Sequence, residues 1–299
     1  MKLSQFIELL ILSAIWGGSF LFMRIAAPET GTLALAALRM TIAGLILSPF
    51  FWHYARKRKH TPFSPHADNK TVTKHVSIVA IINSAIPMVL FAFAISSLDA
   101  GFASILNATT PLWGALIGAL FFSAVLTRSA IAGLALGFLG VVVLSWDKLN
   151  LNAGNQLMAV LAIVLATCFY GIGTNYSKRY LTGVKPMFVA SASLFWGSVF
   201  MLPLLIYTIP DFIDMSIKAW IATVALGSVA TGFAYVFFYR IVEQSGPTKA
   251  MMVTYLIPVF GVLFGNLFLN EQITANMFYG AALILIGVAL TTGVLRKKP

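Results

Sequence analysis

A stretch of 31 residues occurs twice in this chain, and this repeat limits the possible folds more than any other feature. Residues 111–141 and 258–288 align without a gap at a shift of 147 positions, and 12 of the 31 positions are identical. The identical pairs include Pro111/Pro258, Gly114/Gly261, Gly118/Gly265 and Thr127/Thr274. A chain that carries one segment at two matched places is predicted to be built from two equivalent halves.

The composition places both halves in a lipid bilayer. The chain has 299 residues, of which 59% are hydrophobic and 10% are charged, and its mean hydropathy is +0.90. Soluble domains carry about 25% charged residues, so a water-soluble core cannot absorb this much apolar sequence. The single cysteine, Cys168, excludes an intrachain disulfide and lies in an apolar run, where an inert buried thiol is expected.

Apolar runs long enough to cross about 30 Å of hydrocarbon divide the sequence into ten predicted spans. They cover approximately residues 4–24, 32–53, 76–97, 100–122, 129–146, 156–177, 184–208, 217–240, 247–269 and 274–295. The spans must be helices, because each backbone polar group in hydrocarbon has to be satisfied within its own segment. The fold class is therefore predicted to be an all-α integral membrane protein with ten transmembrane helices. The long loop at about 54–75 is predicted to be a surface segment.

The ten spans are predicted to form two inverted repeats of five. The shift of 147 maps spans 4 and 5 onto spans 9 and 10, and residues 16–19 (WGGS) resemble residues 170–173 (YGIG) in span 6. Spans 2 and 3 match spans 7 and 8 only weakly. Because five is an odd number, the second half must cross the membrane in the opposite sense to the first. The first repeat is predicted at residues 1–149 and the second at residues 150–299.

Lysine and arginine are distributed unevenly between the two sides. With the N-terminus inside, 16 of the 20 basic residues fall on the inner side, and three (Arg24, Lys148 and Lys218) fall on the outer side. Cytoplasmic segments of membrane proteins carry such an excess, so both termini are predicted to be cytoplasmic. The net charge of +11 is then mainly a topology signal, and no nucleic-acid partner is expected.

Each repeat has a proline in the middle of a span, Pro111 in span 4 and Pro258 in span 9. A proline inside a helix frees the carbonyl four residues earlier, which here belongs to Asn107 or Thr254. The two prolines are predicted hinges, and two interpretations of the polar residues stay open. Asn107 and Thr254 either line a binding site of the kind that broken helices form in membranes or satisfy the kink locally.

Glycines spaced four residues apart follow both prolines. Gly114 and Gly118 lie in span 4, and Gly261 and Gly265 lie at the matched positions of span 9. Small residues at this spacing let two helix backbones approach closely. All four glycines are therefore predicted to pack helices together.

Arg39 lies about seven residues inside span 2. A charge at such depth costs on the order of 3 kcal/mol on insertion scales, so it needs a partner or a wet cavity. The candidate partners are Glu29, Asp99 and Glu271, or carbonyls freed elsewhere. Arg39 is either an anchor for a substrate carboxylate or other anion, or one member of a fixed structural pair.

Glu8 is the carboxylate that lies well inside a predicted span, within two turns of the inner end of span 1. A carboxyl in that position can extend to the interface or bind a proton. Glu8 is therefore a candidate for a proton-coupling role.

Aromatic and amide side chains are frequent in the middle of the spans. Such residues can line an apolar cavity that suits amphipathic, aromatic or quaternary-ammonium compounds. Together with Arg39, the predicted substrate-binding residues are Trp16, Asn83, Asn107, Trp113, Tyr170, Asn175, Tyr235, Thr254 and Tyr255.

Several of these segments resemble the EamA family of the drug/metabolite transporter superfamily. The resemblance rests on SAIWGGSFLFMRIA, on ALAALRMTIAGLIL and on the long run GFAYVFFYRIVEQSGPTKAMMVTYLIPVFGVLFGNLFLNEQIT, and it covers essentially the whole chain as two repeats. It implies a ten-helix carrier in a bacterial inner membrane, with helices 1, 3, 4, 6, 8 and 9 around a central cavity. One departure stands out: the acidic residue that usually closes helices 4 and 9 is Glu271 in the second half but is replaced by Ala124 in the first.

The repeat and the resemblance together predict a secondary transporter that exports a small metabolite, such as an amino acid, by alternating access. An alternative is the efflux of aromatic or quaternary-cation drugs, and a more remote one is a membrane scaffold without transport. The expected partners are a small-molecule substrate and the lipid bilayer, with the protein acting as a monomer or homodimer. No catalytic activity, cofactor or bound metal is expected, because the spans contain no metal-ligand pair and no Ser–His or paired aspartate arrangement.

Overall fold

The computed structural model describes residues 3–57, 68–148, 155–246 and 250–294, and every regular element within these residues is helical. Besides a short helix at Ile209–Phe212 and a 3-10 turn at Trp146–Lys148, ten long helices follow one another within these residues. They are α1 (Leu3–Thr30), α2 (Thr32–Lys57), α3 (Asn69–Ala80, a π-helical turn at Ile81–Ala85, and Ile86–Ile95), α4 (Ala100–Asn107 and Thr110–Phe121), α5 (Arg128–Ser145), α6 (Asn155–Tyr180), α7 (Pro186–Tyr207), α8 (Ile217–Gly227, a π-helical turn at Ser228–Phe233, and Ala234–Ser245), α9 (Val253–Leu269) and α10 (Ala275–Thr292).

The helices have the length and composition of membrane spans. Among the described residues, nine are long and apolar enough to cross a bilayer, and α9 is a shorter apolar helix of 17 residues. The predicted all-α membrane architecture is thus confirmed. The predicted start of span 9 at residue 247 lies outside the described residues, as does the predicted boundary between the two repeats at residues 149 and 150.

The third helix begins earlier than the sequence indicates. The loop predicted at about 54–75 is wrong at both edges, because α2 continues to Lys57 and α3 starts at Asn69. Asp68 caps α3 by accepting a hydrogen bond from the Thr71 backbone N–H at 3.0 Å. This cap stabilises two helical turns that are too polar to be recognised as part of a span.

The helix packing has the pattern of a two-fold relation between the halves. α5 packs against α10 and α2 packs against α7, so each of these helices contacts its own counterpart. The contact of α1 with α9 is matched by that of α6 with α4, and the contact of α1 with α8 by that of α6 with α3. α4 and α9 also contact each other, so helices from both halves meet in the middle of the molecule.

Irregular features of the backbone recur at the same shift as the sequence repeat. The π-helical turns begin at Ile81 and Ser228, which are 147 residues apart. The two non-glycine residues with positive φ among the described residues, Ser123 and Asn270, are also 147 apart. The weak sequence match between spans 3 and 8 therefore conceals a close structural match.

The first two helices of each half follow a slightly different shift. Gly17 of α1 packs on Phe260 and Gly261 of α9, and a Cβ at Gly17 would lie 2.9 Å from the Gly261 nitrogen. Gly171 of α6, 154 residues later, packs on Trp113 and Gly114 of α4 in the same way, with 2.9 Å to the Gly114 nitrogen. The first half therefore has seven extra residues between the start of α2 and the π turn of α3, and four of them belong to α2, which has 26 residues against 22 in α7.

Candidate functional site

Arg39 is held between helices of both halves. Its Nε donates a hydrogen bond to Thr231 Oγ1 in the π turn of α8 at 2.9 Å, and its Nη1 lies 3.4 Å from the Met23 sulfur of α1. Tyr170 of α6 and Tyr235 of α8 lie within electrostatic range of the guanidinium. Within the described part of the chain, no carboxylate oxygen lies within 4.0 Å of Arg39.

The prediction that Glu29, Asp99 or Glu271 pairs with Arg39 is therefore wrong within the described residues. Glu29 accepts hydrogen bonds from the Ser216 backbone N–H at 2.7 Å and from its hydroxyl at 2.8 Å. Glu271 accepts hydrogen bonds from the first backbone N–H groups of α4, and Asp99 lines an open cleft beside Glu271. The first N–H groups of a helix have no intrahelical acceptor, so they compete successfully for nearby carboxylates.

Aromatic side chains from four helices surround the Arg39 site. Trp16 of α1 lies edge-to-face with Tyr235 at 6.3 Å between ring centroids and tilted against Phe238 at 5.4 Å. Phe91 of α3 contacts both Phe20 and Tyr170, with 6.0 Å between ring centroids in each pair. We refer to these residues together as the central cluster, which consists of Trp16, Phe20, Arg39, Phe91, Tyr170, Thr231, Tyr235 and Phe238.

Part of the central cluster stays accessible. Arg39, Tyr170 and Tyr235 lie deep in the protein, surrounded by other side chains. Each of them, and Trp16 as well, nevertheless keeps part of its surface accessible to solvent. A polar group that lies deep and is still partly accessible can contact a small ligand.

Three of the predicted binding residues lie in contacts between helices. Asn175 of α6 donates hydrogen bonds to the carbonyls of Gly114 at 2.8 Å and Gly171 at 2.9 Å, which ties α6 to α4. Trp113 packs edge-to-face on Phe138 of α5 at 4.9 Å. Asn83, in the π turn of α3, packs against Gly173 of α6.

The two prolines lie in unlike helices. α4 is interrupted between Asn107 and Thr110, so Pro111 lies in the first turn of its second segment, whereas α9 continues through Pro258. The carbonyl of Asn107 accepts a hydrogen bond from the Thr110 hydroxyl at 2.8 Å. A local hydroxyl therefore satisfies the carbonyl that Pro111 frees.

The residues near Pro258 make local or helix-to-helix contacts. The Thr254 hydroxyl donates to the Met251 carbonyl at 2.8 Å. The Tyr255 hydroxyl lies 2.8 Å from the hydroxyl of Thr292 on α10. A direct contact of Asn107, Thr254 or Tyr255 with a substrate stays a prediction.

Three of the four glycines predicted to pack helices meet a neighbour closely. Gly261 faces Ser104 of α4, Gly265 faces Glu271, and a Cβ at Gly118 would lie 2.9 Å from the Asn175 side-chain oxygen. Gly114 differs, because a Cβ built there meets nothing within 4 Å. The close helix approach that was predicted to depend on Gly114 depends instead on Gly171 of α6, which packs against Gly114 of α4.

Glu271 fastens the turn between α9 and α10 to α4. Its two carboxylate oxygens accept hydrogen bonds from the backbone N–H groups of Ala100 at 2.7 Å and Gly101 at 3.0 Å. Beside it, Arg24 donates to the carbonyls at the end of α3 and lines, with Glu271, an open cleft of about 590 Å³. Burial raises the pKa of Glu271 above its ordinary value of 4.5, against the opposing effect of the two backbone hydrogen bonds.

We expect Glu271→Gln to change how stability depends on pH. Because the pKa of Glu271 is raised on folding, the folded state binds the proton more tightly, and this contribution to stability falls as the pH rises above about 4.5. The glutamine cannot titrate and should remove that fall. Thermal unfolding of detergent-solubilised protein from pH 4.5 to 7 measures it, with Glu243→Gln, an exposed carboxylate, as the control. Equal slopes for wild type and Glu271→Gln would contradict this role.

Glu8 is paired rather than isolated. Its Oε1 lies 3.2 Å from Arg240 Nη2 on α8, and its Oε2 is buried with no hydrogen-bond partner in the described part of the chain. The pair joins α1 and α8 near the N-terminal end of α1. The proton-coupling role predicted for Glu8 is not tested by this geometry and stays a prediction.

Sequence reasoning missed Thr231 and Arg240, the partners of Arg39 and Glu8. A signal for Thr231 was available, since the shift of 147 relates it to Ser84, another small hydroxyl inside a span. No comparable signal exists for Arg240, whose counterpart is Phe93. Within the described ranges, no three His, Cys, Asp or Glu side chains group as metal ligands.

A helical membrane protein with two equivalent halves meeting at a polar and aromatic cluster has the architecture of a carrier. The chain belongs to the EamA-like transporter family, whose model matches residues 5–146 and 157–293. The predicted resemblance is thus confirmed over nearly the whole chain, and the family is one of membrane transporters.

Individual relatives align along their full length. An uncharacterized transporter of Archaeoglobus fulgidus is 25% identical and covers 99% of this chain and 100% of its own. A probable terminal-alkyne amino-acid exporter of Streptantibioticus cattleyicolor is 25% identical over 97% of this chain and 94% of its own. A probable amino-acid metabolite efflux pump of Escherichia coli is 23% identical, with 97% and 95% covered. A crystal structure with 19% identity superposes over both whole chains with a TM-score of 0.61, which supports the fold.

Proposed function

We propose that this protein exports amino acids, or similarly small zwitterionic metabolites, by alternating access. The observation that carries the proposal is the recurrence of the same irregular features in both halves. The π turns and the positive-φ residues lie 147 positions apart in helices that the odd helix number inverts. Two inverted halves have two equivalent arrangements around one site, and exchange between them opens that site to each side in turn.

The substrate class is supported by the relatives and by the cluster. Two aligned relatives are named as an amino-acid exporter and an amino-acid metabolite efflux pump. The central cluster combines one cation with several aromatic faces, a combination that suits a molecule with a carboxylate and an apolar body. The excess of basic residues on one side supports cytoplasmic termini, and residues 1–149 and 150–299 are the proposed halves.

Counterflow in proteoliposomes tests the proposal. Vesicles that contain the purified protein are loaded with an unlabelled amino acid and diluted into the same amino acid in radiolabelled form. A carrier exchanges the two, so label should rise transiently above its equilibrium level, which neither a pore nor empty liposomes can produce. If none of the 20 standard amino acids enters faster than into empty liposomes, the proposed substrate class is wrong.

Efflux of aromatic or quaternary cations is a second candidate function, favoured by the partly accessible rings of Trp16, Tyr170 and Tyr235. The positive charge of Arg39 opposes it, since a cation at the same site is repelled. A drug-susceptibility screen of expressing cells separates the two. Raised resistance to quaternary ammonium compounds without amino-acid release would favour drug efflux.

A further inference from the structure

We propose that Arg39, oriented by the π turn of α8, binds the carboxylate of the substrate, and that the substrates are amphipathic monocarboxylates with an apolar or aromatic body. This inference rests on the transport function proposed above and specifies the chemistry of the same site. It follows from the unmatched charge of Arg39, from the side chains around it and from the asymmetry between the two halves.

The hydrogen-bonding capacity of Arg39 is largely unused. A guanidinium has five N–H donors. Among the described residues, Nε binds the Thr231 hydroxyl, and the terminal nitrogens have no oxygen acceptor, only the sulfur of Met23 beside Nη1. Sulfur is a weak acceptor. Arg39 therefore keeps its two terminal nitrogens available, and a guanidinium binds a carboxylate through two parallel hydrogen bonds.

The π turn explains how Arg39 is aimed. The Thr231 hydroxyl donates to the Leu226 carbonyl five residues earlier at 2.8 Å while it accepts from Arg39 Nε. The π turn thus fixes the position of Thr231 Oγ1, which in turn holds Arg39 by its Nε. π turns are frequent at functional sites, and Thr231 in this one binds only the Nε of Arg39.

The surroundings of Arg39 define the rest of the ligand. Tyr170 and Tyr235 lie within electrostatic range of the guanidinium, and Trp16 packs against Tyr235 and Phe238. No second cation is among the members of this cluster, so a single carboxylate matches its charge. These aromatic rings suit an apolar or aromatic group attached to that carboxylate.

The counterpart of Arg39 in the second half carries no charge. The shift of 154 that relates α1 to α6 also relates the first residues of α2 and α7, and it places Ser193 opposite Arg39. Ser193 is 5% exposed, and its hydroxyl has no hydrogen-bond partner among the residues that the structure describes. α7 packs on the π turn of α3 as α2 packs on that of α8. The scaffold is repeated, but the charge that recognises the carboxylate is present once.

Binding of matched acids and amides tests the inference. Dissociation constants of the purified protein are measured by calorimetry for L-phenylalanine and L-leucine and for the corresponding amides, which keep the shape and lose the carboxylate. We expect the acids to bind at least about tenfold more tightly, because a hydrogen-bonded charge pair is lost with the amide. Arg39→Gln should abolish this preference, and Arg128→Gln, an exposed arginine of α5, should keep it.

The possible outcomes separate this inference from the function on which it rests. Equal affinity for acid and amide in the wild type, undiminished affinity for the acids in Arg39→Gln, or no binding of either acid up to millimolar concentration would each overturn the carboxylate site. If Arg39→Gln does not fold, the acid–amide comparison in the wild type decides alone. Counterflow of amides or amines would leave transport intact while this inference fails.

Discussion

Replacing Thr231 with valine should destabilise the protein by about 2 kcal/mol, because a hydrogen bond to a charged group is lost while the shape is kept. Thr231 is 1% exposed and connects Arg39 to the Leu226 carbonyl. Valine leaves both groups without that hydroxyl. Thermal unfolding in detergent, followed with a thiol-reactive dye on the single cysteine Cys168, measures the change.

Thr223→Val is the matched control on the same helix. Thr223 is also buried, at 0% exposed, but no described residue forms a hydrogen bond with its hydroxyl. Replacing an unsatisfied buried hydroxyl with a methyl group is neutral or stabilising. The account requires the two substitutions to differ, and an equal change in the unfolding temperature would mean that Thr231 does not hold Arg39.

Gly171→Ala should separate α6 from α4 and cost about 1–3 kcal/mol, the usual range for an overpacked site. The new Cβ would lie 2.8 Å from the carbonyl carbon of Trp113 and 2.9 Å from the Gly114 nitrogen. Both are backbone atoms that cannot rotate away. We expect a lower unfolding temperature and slower counterflow, because the tilted α6 displaces Tyr170 from the central cluster.

The same interface provides the control for this substitution. Gly114→Ala adds one methyl group to the facing helix, where nothing lies within 4 Å. Alanine favours a helix over glycine by up to about 1 kcal/mol, so stability should be unchanged or raised. Gly17→Ala, at the equivalent contact of α1 with α9, should behave like Gly171→Ala. A tolerated alanine at both Gly17 and Gly171 would refute the close packing of these helices.

The sequence predicts those parts of the fold that depend on local pattern. The apolar runs locate the spans, and the repeat from 111 to 141 locates α4 and α5 and their counterparts. The start of α3 was missed because Asp68 caps a polar stretch, where hydropathy gives no signal. The π turns were missed because no residue type marks them.

The predicted site was recovered only in part, since contacts across the halves depend on packing. The structure brings together four of the predicted binding residues, Trp16, Arg39, Tyr170 and Tyr235, as their polarity and depth in the spans suggest. Asn175 meets the same criteria and instead ties α6 to α4. The acidic residues were predicted to pair with Arg39 from their charge alone. Glu29 and Glu271 instead accept hydrogen bonds from backbone N–H groups at nearby helix N-termini.

The distances across the two ends of the molecule test the central claim, that the halves expose one site to each side alternately. Four exposed residues provide one pair at each end, Ser96 with Gln272 and Val125 with Glu243. The two pairs are equivalent, because the shift of 147 maps Ser96 onto Glu243 and Val125 onto Gln272. Spin labels are attached to Ser96 and Gln272 in one protein and to Val125 and Glu243 in another, both lacking Cys168. At the end that carries the first pair, Glu271 ties the turn between α9 and α10 to the start of α4.

Distance distributions measured by double electron–electron resonance in lipid nanodiscs then decide the matter. On adding an amino acid that counterflow shows to be transported, we predict that one pair moves apart while the other approaches, with populations that change in opposite directions. Two distributions that stay fixed while transport proceeds, or that widen together, would contradict alternating access by two inverted halves.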